Sequence, residues 1–324
     1  MKLTGKTLRR LTKGAVYFEE NRGYFASFRY SRAQIEYMAD EKYDWGWRMR
    51  ARFCGGIRLE FKTDSRKISF EYRASHTHER ANTFDLYVDG VLSAVYKIGE
   101  KLKGKVEFDL PAGDKLVTIY LPAESETSIK NFTLDGSFKA TKDKGRKWLV
   151  LGDSITQGAG PDITSCAYVH ALARKTGYNI LAQGVGGYRY EACDLMRVEG
   201  FEPERIIVFL GTNYYDVVQE ERGYFYEKAV REYYARLNEL YPNVPVVCVT
   251  PLWRNNEGTD MERLLWCIDT IKKECTNYPN IYVADGFSLV PNVGECYADG
   301  VHPNAYGMEL LASNLLKFIK EKKL

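Results

Sequence analysis

From residue 148 onward, five short apolar runs alternate with stretches of helical spacing, and few folds accommodate that pattern. The runs are 148–151, 179–182, 205–210, 244–249 and 281–284, and between them lie the helical stretches 165–175, 190–198, 223–240 and 260–275. A last stretch after His302-Pro303 carries Met308, Leu311, Leu315 and Ile319 at helical spacing. Apolar runs this short suit strands buried on both faces, and strands joined by helices pair in parallel. The pattern predicts an α/β layer with a five-stranded parallel sheet in the flavodoxin-like order 2-1-3-4-5, covered by helices on both sides.

The first 135 residues follow a different rule. Segments 23–30, 48–54, 57–61, 67–72, 84–88, 91–98, 106–110, 116–121 and 129–134 read as short strands separated by Gly, Pro, Asp and Asn turns. Asp89-Gly90 signals a hairpin, and Ser31 is placed to cap one short helix reaching Ala39. Strands at this spacing predict a jelly-roll-like β-sandwich. Segment 139–147, with five Lys or Arg among nine residues, reads as a solvated linker. The expected organisation is a sandwich at 1–138, a linker at 139–147 and an α/β domain at 148–324.

Composition narrows the function classes. A net charge of +3 over 324 residues does not call for nucleic acid, and no apolar run reaches the roughly 18 residues of a membrane span. The basic start (Lys2, Lys6, Arg9, Arg10, Lys13) has no apolar core after it and does not read as a signal peptide. Seven cysteines are scattered without a Cys-x-x-Cys pair, which argues against a zinc site or a disulfide framework and for a reducing cytoplasm. His76 and His78 fall on one face of an expected strand, too few ligands for a metal. Neither a metal nor a cofactor is expected.

Chemistry collects where the predicted parallel strands end. Ligands of open α/β sheets bind outside the carboxyl ends of the strands. After the first strand comes Ser154, after the second Gly184-Val185-Gly186-Gly187, after the third Gly211-Thr212-Asn213, and after the fifth Asp299-Gly300-Val301-His302. In the 2-1-3-4-5 order the first and third strands are neighbours, so Ser154 and Asn213 flank one crevice. Serine needs an adjacent base to act as a nucleophile. His302 can be that base, since the other histidine of this half, His170, falls mid-helix. Asp299 can hold the imidazole in the right tautomer. The backbone N–H groups of Ser154 and of Gly186 or Gly187, with the Asn213 amide, can receive a developing oxyanion. Taken singly, the glycines are ordinary turn residues, Gly-Thr-Asn is a common turn, and Asp-x-x-His-Pro is a possible helix cap. Their shared placement is what points to catalysis. The stretch is not a Gly-x-Ser-x-Gly elbow, because Thr156 replaces the second glycine, and no Gly-Lys-Ser/Thr follows to make a phosphate loop.

Read together, Gly152-Asp153-Ser154-Ile155-Thr156, the Gly187 region, Gly211-Thr212-Asn213 and Asp299-Gly300-Val301-His302 resemble the four blocks of the SGNH (GDSL-type) hydrolase family. The resemblance covers residues 148 to 324. It implies Ser154 as nucleophile, His302 as base and Asp299 as its orienting partner, with Ser154, Gly187 and Asn213 as oxyanion donors. The family often places aspartate after the third-block asparagine, where this chain has Tyr214. A sandwich ahead of such a domain resembles the two-domain carbohydrate acetylesterases of the family.

The expected activity is therefore a serine esterase acting on a small-molecule or oligosaccharide ester with a short, acetyl-like acyl group. Trp253 and Arg254 leave the fourth strand toward the same edge, and Tyr188, Tyr190, Tyr214 and Tyr215 follow the glycine block and Asn213. They predict a polar aromatic rim suited to a sugar ring, with Trp253, Arg254 and Tyr214 as substrate-binding residues. The competing readings are a lysophospholipase or thioesterase, which needs a long apolar channel, and a non-catalytic carbohydrate-binding protein. A nucleotide-binding module fits less well, because Arg189 stands where the third glycine of Gly-x-Gly-x-x-Gly would fall.

Overall fold

A computed structural model describes residues 1–40, 45–76, 78–99, 101–142, 145–215 and 223–324. In the N-terminal half, two antiparallel sheets face each other. Their strands are β1 (Thr12–Lys13), β2 (Tyr17–Asn21), β3 (Tyr24–Phe28), β4 (Arg58–Thr63), β5 (Lys67–Ala74), β6 (Thr83–Val88), β7 (Val91–Lys97), β8 (Lys103–Asp109), β9 (Lys115–Tyr120), β10 (Thr127–Leu134) and β11 (Phe138–Ala140). One sheet runs β1-β4-β9-β6-β7 with β11 on β4, and the other runs β2-β3-β10-β5-β8. Strand β5 shows why a sandwich forms. Ile68, Phe70, Tyr72 and Ala74 point inward while Lys67, Ser69, Glu71 and Arg73 face out, the period-2 pattern of a half-buried strand. Phe70 then stacks on Phe132 (5.3 Å, 6°) and meets Phe84 edge-on (5.1 Å, 70°), so aromatic rings from both sheets fill the core. Asp89 (φ 49°) and Gly90 (φ 84°) form the β6–β7 hairpin with two left-handed residues, as that turn requires.

Several segments depart from the sequence expectation. Residues 5–11 form helix α1 (Gly5–Leu11), capped by the Thr4 side chain. Helix α2 (Arg32–Met38) is capped by Ser31 as expected, but the expected strand 48–54 is largely helix α3 (Trp45–Ala51). There Trp47 packs edge-on against Tyr188 (5.2 Å, 61°), and this contact with the other half of the molecule outweighs the period-2 pattern of the segment. His76 and His78 lie past the end of β5 rather than on a strand face, and His76 stacks on Phe53 at 6.1 Å. The expected linker is shorter than 139–147, because Lys139 and Ala140 pair with β4 in β11 and Lys147 already belongs to the next strand. Residues 143–144 of that linker lie outside the described residues.

The C-terminal half is a parallel sheet of β12 (Lys147–Gly152), β13 (Asn179–Gly184), β14 (Arg205–Phe209), β15 (Val246–Val249) and β16 (Ile281–Ala284). Its order is β13-β12-β14-β15-β16, the doubly wound 2-1-3-4-5 arrangement. Helices α4 (Ser154–Gln157), α5 (Tyr168–Thr176), α6 (Gly223–Leu240), α7 (Met261–Cys275), α8 (Gly286–Leu289) and α9 (Ala305–Glu321) complete it. Alternate strand residues serve opposite cores. Val150, Ile207 and Val247 pack with α5 and α9, whereas Leu149, Leu151, Ile206 and Val208 pack with α6 and α7. Stretch 190–198 is not the expected helix. It holds one 3-10 turn (Ala192–Asp194), and Tyr190 is instead buried among Tyr214, Tyr226, Tyr233 and Tyr234.

The two halves share a polar seam. Arg29, just past β3, is fully buried and donates to Phe53 O (2.9 Å) and Arg50 O (2.7 Å) on its own side. Across the seam it donates to Ala182 O (3.3 Å) and Gly184 O of β13. Backbone approaches closely here, since a Cβ on Gly56 (φ +84°) would sit 2.8 Å from the Ala182 Cβ.

Candidate active site

Strand β12 ends at Gly152, Asp153 caps α4 by accepting from Ile155 N (3.1 Å), and Ser154 is the first residue of that helix. Ser154 Oγ lies 2.7 Å from His302 Nε2. His302 Nδ1 lies 2.7 Å from Asp299 Oδ2, so the proton on Nδ1 is donated to the carboxylate and Nε2 is left to accept from the serine. Asp299 Oδ1 also accepts from Val301 N (3.0 Å) and His302 N (2.8 Å). One carboxylate thus holds both the ring and the backbone of the turn that carries it. Asn304 caps α9 just beyond, accepting from Tyr306 N and Gly307 N at 3.1 Å each, and fixes the loop to the sheet edge.

The electrostatics follow from these contacts. Burial pushes the Asp299 carboxyl up, but the bonds from His302 and the backbone outweigh it and hold the group well below the ordinary carboxylate range. Burial likewise pushes the His302 imidazole down, and the Asp299 hydrogen bond and charge, with smaller help from Asp153 and Glu124, leave it raised. Asp153 is buried away from water and is pushed up to about 6.

The groups expected to donate to an oxyanion sit on neighbouring strand ends. Val185 to Tyr188 form a turn closed by Tyr188 N donating to Val185 O (2.9 Å), with Gly187 at φ +78°. That is a type II turn, which demands a left-handed third residue. Gly186 N donates to Gln157 Oε1 (2.8 Å), whereas Gly187 N has no protein acceptor among the described residues. Between the two glycines, Gly187 is the one with an N–H to offer. Asn213, after Gly211 at φ +120°, spends one amide hydrogen on Tyr188 O (3.0 Å) and retains the other.

Ser154, His302, Gly187 and Asn213 line one cavity of about 750 Å³. Arg254 reaches it too, with its guanidinium 4.2 Å over the Tyr215 ring. The other two expected substrate residues are placed elsewhere. Trp253 stacks on Phe287 (3.6 Å, 11°) and donates to Phe287 O, which fixes it in the α/β core wall. Tyr214 packs on Tyr226 (4.7 Å) and donates to Tyr190 O, and Tyr188, Tyr190 and Tyr215 are buried. The expected aromatic rim is therefore corrected to a charged one. Arg50, His78, Glu79, Arg80 and Glu124 supply it from the N-terminal half. No motif in the sequence marks these five, because they come from three separate segments: helix α3, the loop at 78–80 and the loop at 124. Gln157 could have been noticed, since it stands inside the first block.

Among the described residues, no group of three or more His, Cys, Asp or Glu side chains is arranged to hold a metal, and no helix is long and apolar enough to cross a membrane. Residues 150–310 match the GDSL-like lipase/acylhydrolase family. No curated protein matches the chain. Among solved structures, the salicylyl-acyltransferase SsfX3 of a tetracycline biosynthetic pathway aligns at 20% identity over 97% of this chain and 94% of its own, TM-score 0.78. A protein described as a GDSL-like lipase from Bacteroides ovatus aligns at 18% over 99% and 97%, TM-score 0.78. A family two carbohydrate esterase from Clostridium thermocellum, in complex with cellohexaose, aligns at 17% over 83% and 93%, TM-score 0.66. At these identities the likeness is one of fold, and it extends across both halves of the chain.

Proposed function

We propose that this chain, whose α/β domain belongs to the GDSL-like lipase/acylhydrolase family and which is thus a carboxylic ester hydrolase, removes short acyl groups, acetyl above all, from polar alcohols such as sugars. Ser154 is the nucleophile in this reading, and the observation that carries it is the unbroken hydrogen-bond chain Ser154–His302–Asp299 at the floor of a polar cavity. As Ser154 Oγ attacks the ester carbonyl carbon, His302 Nε2 takes the hydroxyl proton and Asp299 stabilises the imidazolium. The negative charge that forms on the carbonyl oxygen is met by Ser154 N–H, Gly187 N–H and the free amide hydrogen of Asn213. His302 returns the proton to the departing alcohol oxygen, leaving an acyl group on Ser154. Water, deprotonated by the same imidazole, then releases the acid and restores the serine.

The substrate class follows from the cavity wall. Among the described residues that line it only Ala159 and Val301 carry apolar side chains, so a long alkyl chain finds little apolar wall to bury against. A charged, hydrogen-bonding rim suits an alcohol rich in hydroxyls. A second cavity of about 630 Å³ shares Arg80 and Gly160 with the first, which gives room for more than one ring. The seven cysteines are free thiols, in keeping with a reducing compartment. The test is a series of nitrophenyl esters from acetate to palmitate, followed by acetylated sugars. kcat/KM is expected to peak at about two to four carbons and to collapse by about eight, since each added methylene finds little apolar surface. A maximum at long chains would instead establish a lipase-like enzyme.

A further inference from the structure

The turn that offers Gly187 N–H is held from outside its own domain. Gly186 O and Gly187 N–H belong to one trans peptide unit and point in opposite directions. Arg50, on α3 of the N-terminal half, donates from Nη1 to Gly186 O at 3.1 Å. The preceding peptide is held too, because Gly186 N–H is bound by Gln157 Oε1. Gln157 Nε2 in turn donates to Glu124 Oε2 at 2.8 Å. A carboxylate only accepts, so Glu124 dictates which end of the Gln157 amide faces it and leaves the oxygen end for Gly186.

Glu124 is itself rigidly placed. It is 7% exposed, and its other oxygen, Oε1, is buried without a partner among the described residues. Ala123 N and Glu124 N both donate to Ala81 O (2.9 and 3.3 Å), and the neighbouring Glu126 is gripped by Arg52 through two bonds of 2.8 Å. These holds matter because residues 186 and 187 are both glycine. Type I and type II turns differ by a flip of the central peptide, and a Gly-Gly pair opposes neither. The flip would exchange Gly187 N–H for Gly186 O at the cavity.

We infer that Arg50 and Glu124 of the N-terminal half are positioning residues for catalysis, which lock the Gly186–Gly187 peptide with its N–H aimed at the oxyanion. The sandwich half is then a working part of the active site rather than an appended module. This inference rests on the esterase reading given above, and the experiment separates the two.

Ser154→Ala, Arg50→Ala, Glu124→Ala and Glu124→Gln are compared with wild type on nitrophenyl acetate. A short alkyl boronic acid, whose serine adduct places an oxygen in the oxyanion site, is titrated in parallel. Arg50→Ala and Glu124→Ala are expected to lower kcat by about 10- to 100-fold, with KM changed by no more than about twofold, the loss typical of a misaimed rather than deleted donor. Boronate affinity should fall by a similar factor. Glu124→Gln keeps an acceptor for Gln157 Nε2, so it should stay within about threefold of wild type, and as the isosteric variant it reads the relay even where the alanine variant folds poorly. Wild-type kcat and boronate affinity in both alanine variants overturn the relay, and so does a loss of kcat without a loss of boronate affinity. Hydrolysis that survives Ser154→Ala overturns the esterase reading instead.

Discussion

The two walls of the cavity are built in opposite ways. On the α/β side, Ser154 after β12, Gly187 after β13 and Asn213 after β14 stand within a few residues of a strand end, and Asp299 and His302 follow β16 on the longer segment that leads into α9. On the N-terminal side, Arg50, His78, Arg80 and Glu124 come from three separate segments; Arg50 is bonded to Gly186 and Glu124 to Gln157 across the seam, whereas His78 and Arg80 bond each other within one loop. The first wall is a consequence of topology, because a parallel sheet delivers all its strand ends to one edge. The second wall exists only when both halves have folded and met. Reactive groups come from the regular wall, and the groups that surround and aim them come from the irregular one.

The sharpest way to break this division is Ser154→Ala, which should lower esterase turnover by about 10⁴-fold or more and abolish labelling by a fluorophosphonate. Labelling that persists on another serine would move the nucleophile elsewhere. The irregular wall is broken at Arg29→Met. That change leaves the carbonyls of Phe53, Arg50, Ala182 and Gly184 without their shared donor and should cost about 3–5 kcal/mol in urea unfolding, since each buried acceptor left unpaired costs about 1–3 kcal/mol. A change under about 1 kcal/mol would show that water replaces the guanidinium readily. Asn213→Ala removes one proposed oxyanion donor from the regular wall and should reduce kcat by about 10²- to 10³-fold, with a much smaller change in KM.

The pH profile sharpens the comparison further. His302 must be neutral to accept the serine proton, and Asp299 raises its pKa above the ordinary value of 6.5. The rate should therefore be full at higher pH and fall about tenfold per unit as pH drops below that raised value. A profile flat through this range, in folded protein, rules out a histidine base. The smallest effect is expected at Trp253→Ala. Because Trp253 stacks on Phe287, the ratio of kcat/KM for an acetylated sugar to that for nitrophenyl acetate should stay within about twofold of wild type. A selective loss on the sugar would bring the indole back to the substrate.

The physical origin of each feature decides how early it could be read. The sheet order, the sandwich and the clustering of Ser154, Asn213, Asp299 and His302 depend on short-range patterns: apolar runs, turn glycines and the residues next to them. The 48–54 segment could not be read this way, because its helix is secured by Trp47 meeting Tyr188 across the molecule. Nor could the packing of Tyr214 and Trp253 against the cores, since their side chains were free by sequence to face either the cavity or the core. Tyrosine and tryptophan carry both an apolar body and a polar handle, so composition leaves their direction open and packing settles it.

By itself, then, the sequence determined which residues reach the working edge of the sheet, since strand periodicity and chain order fix that edge whatever the loops do. Tertiary structure alone decided what faces them. It committed the Gly186 N–H to Gln157, and it brought Glu124 and Arg50 from a distant part of the chain to bond that turn and its partner. Hydrogen bonds between residues more than 130 positions apart in sequence, as between Arg50 and Gly186, leave no periodic trace in the chain, and only the docking of two finished cores brings such partners within reach.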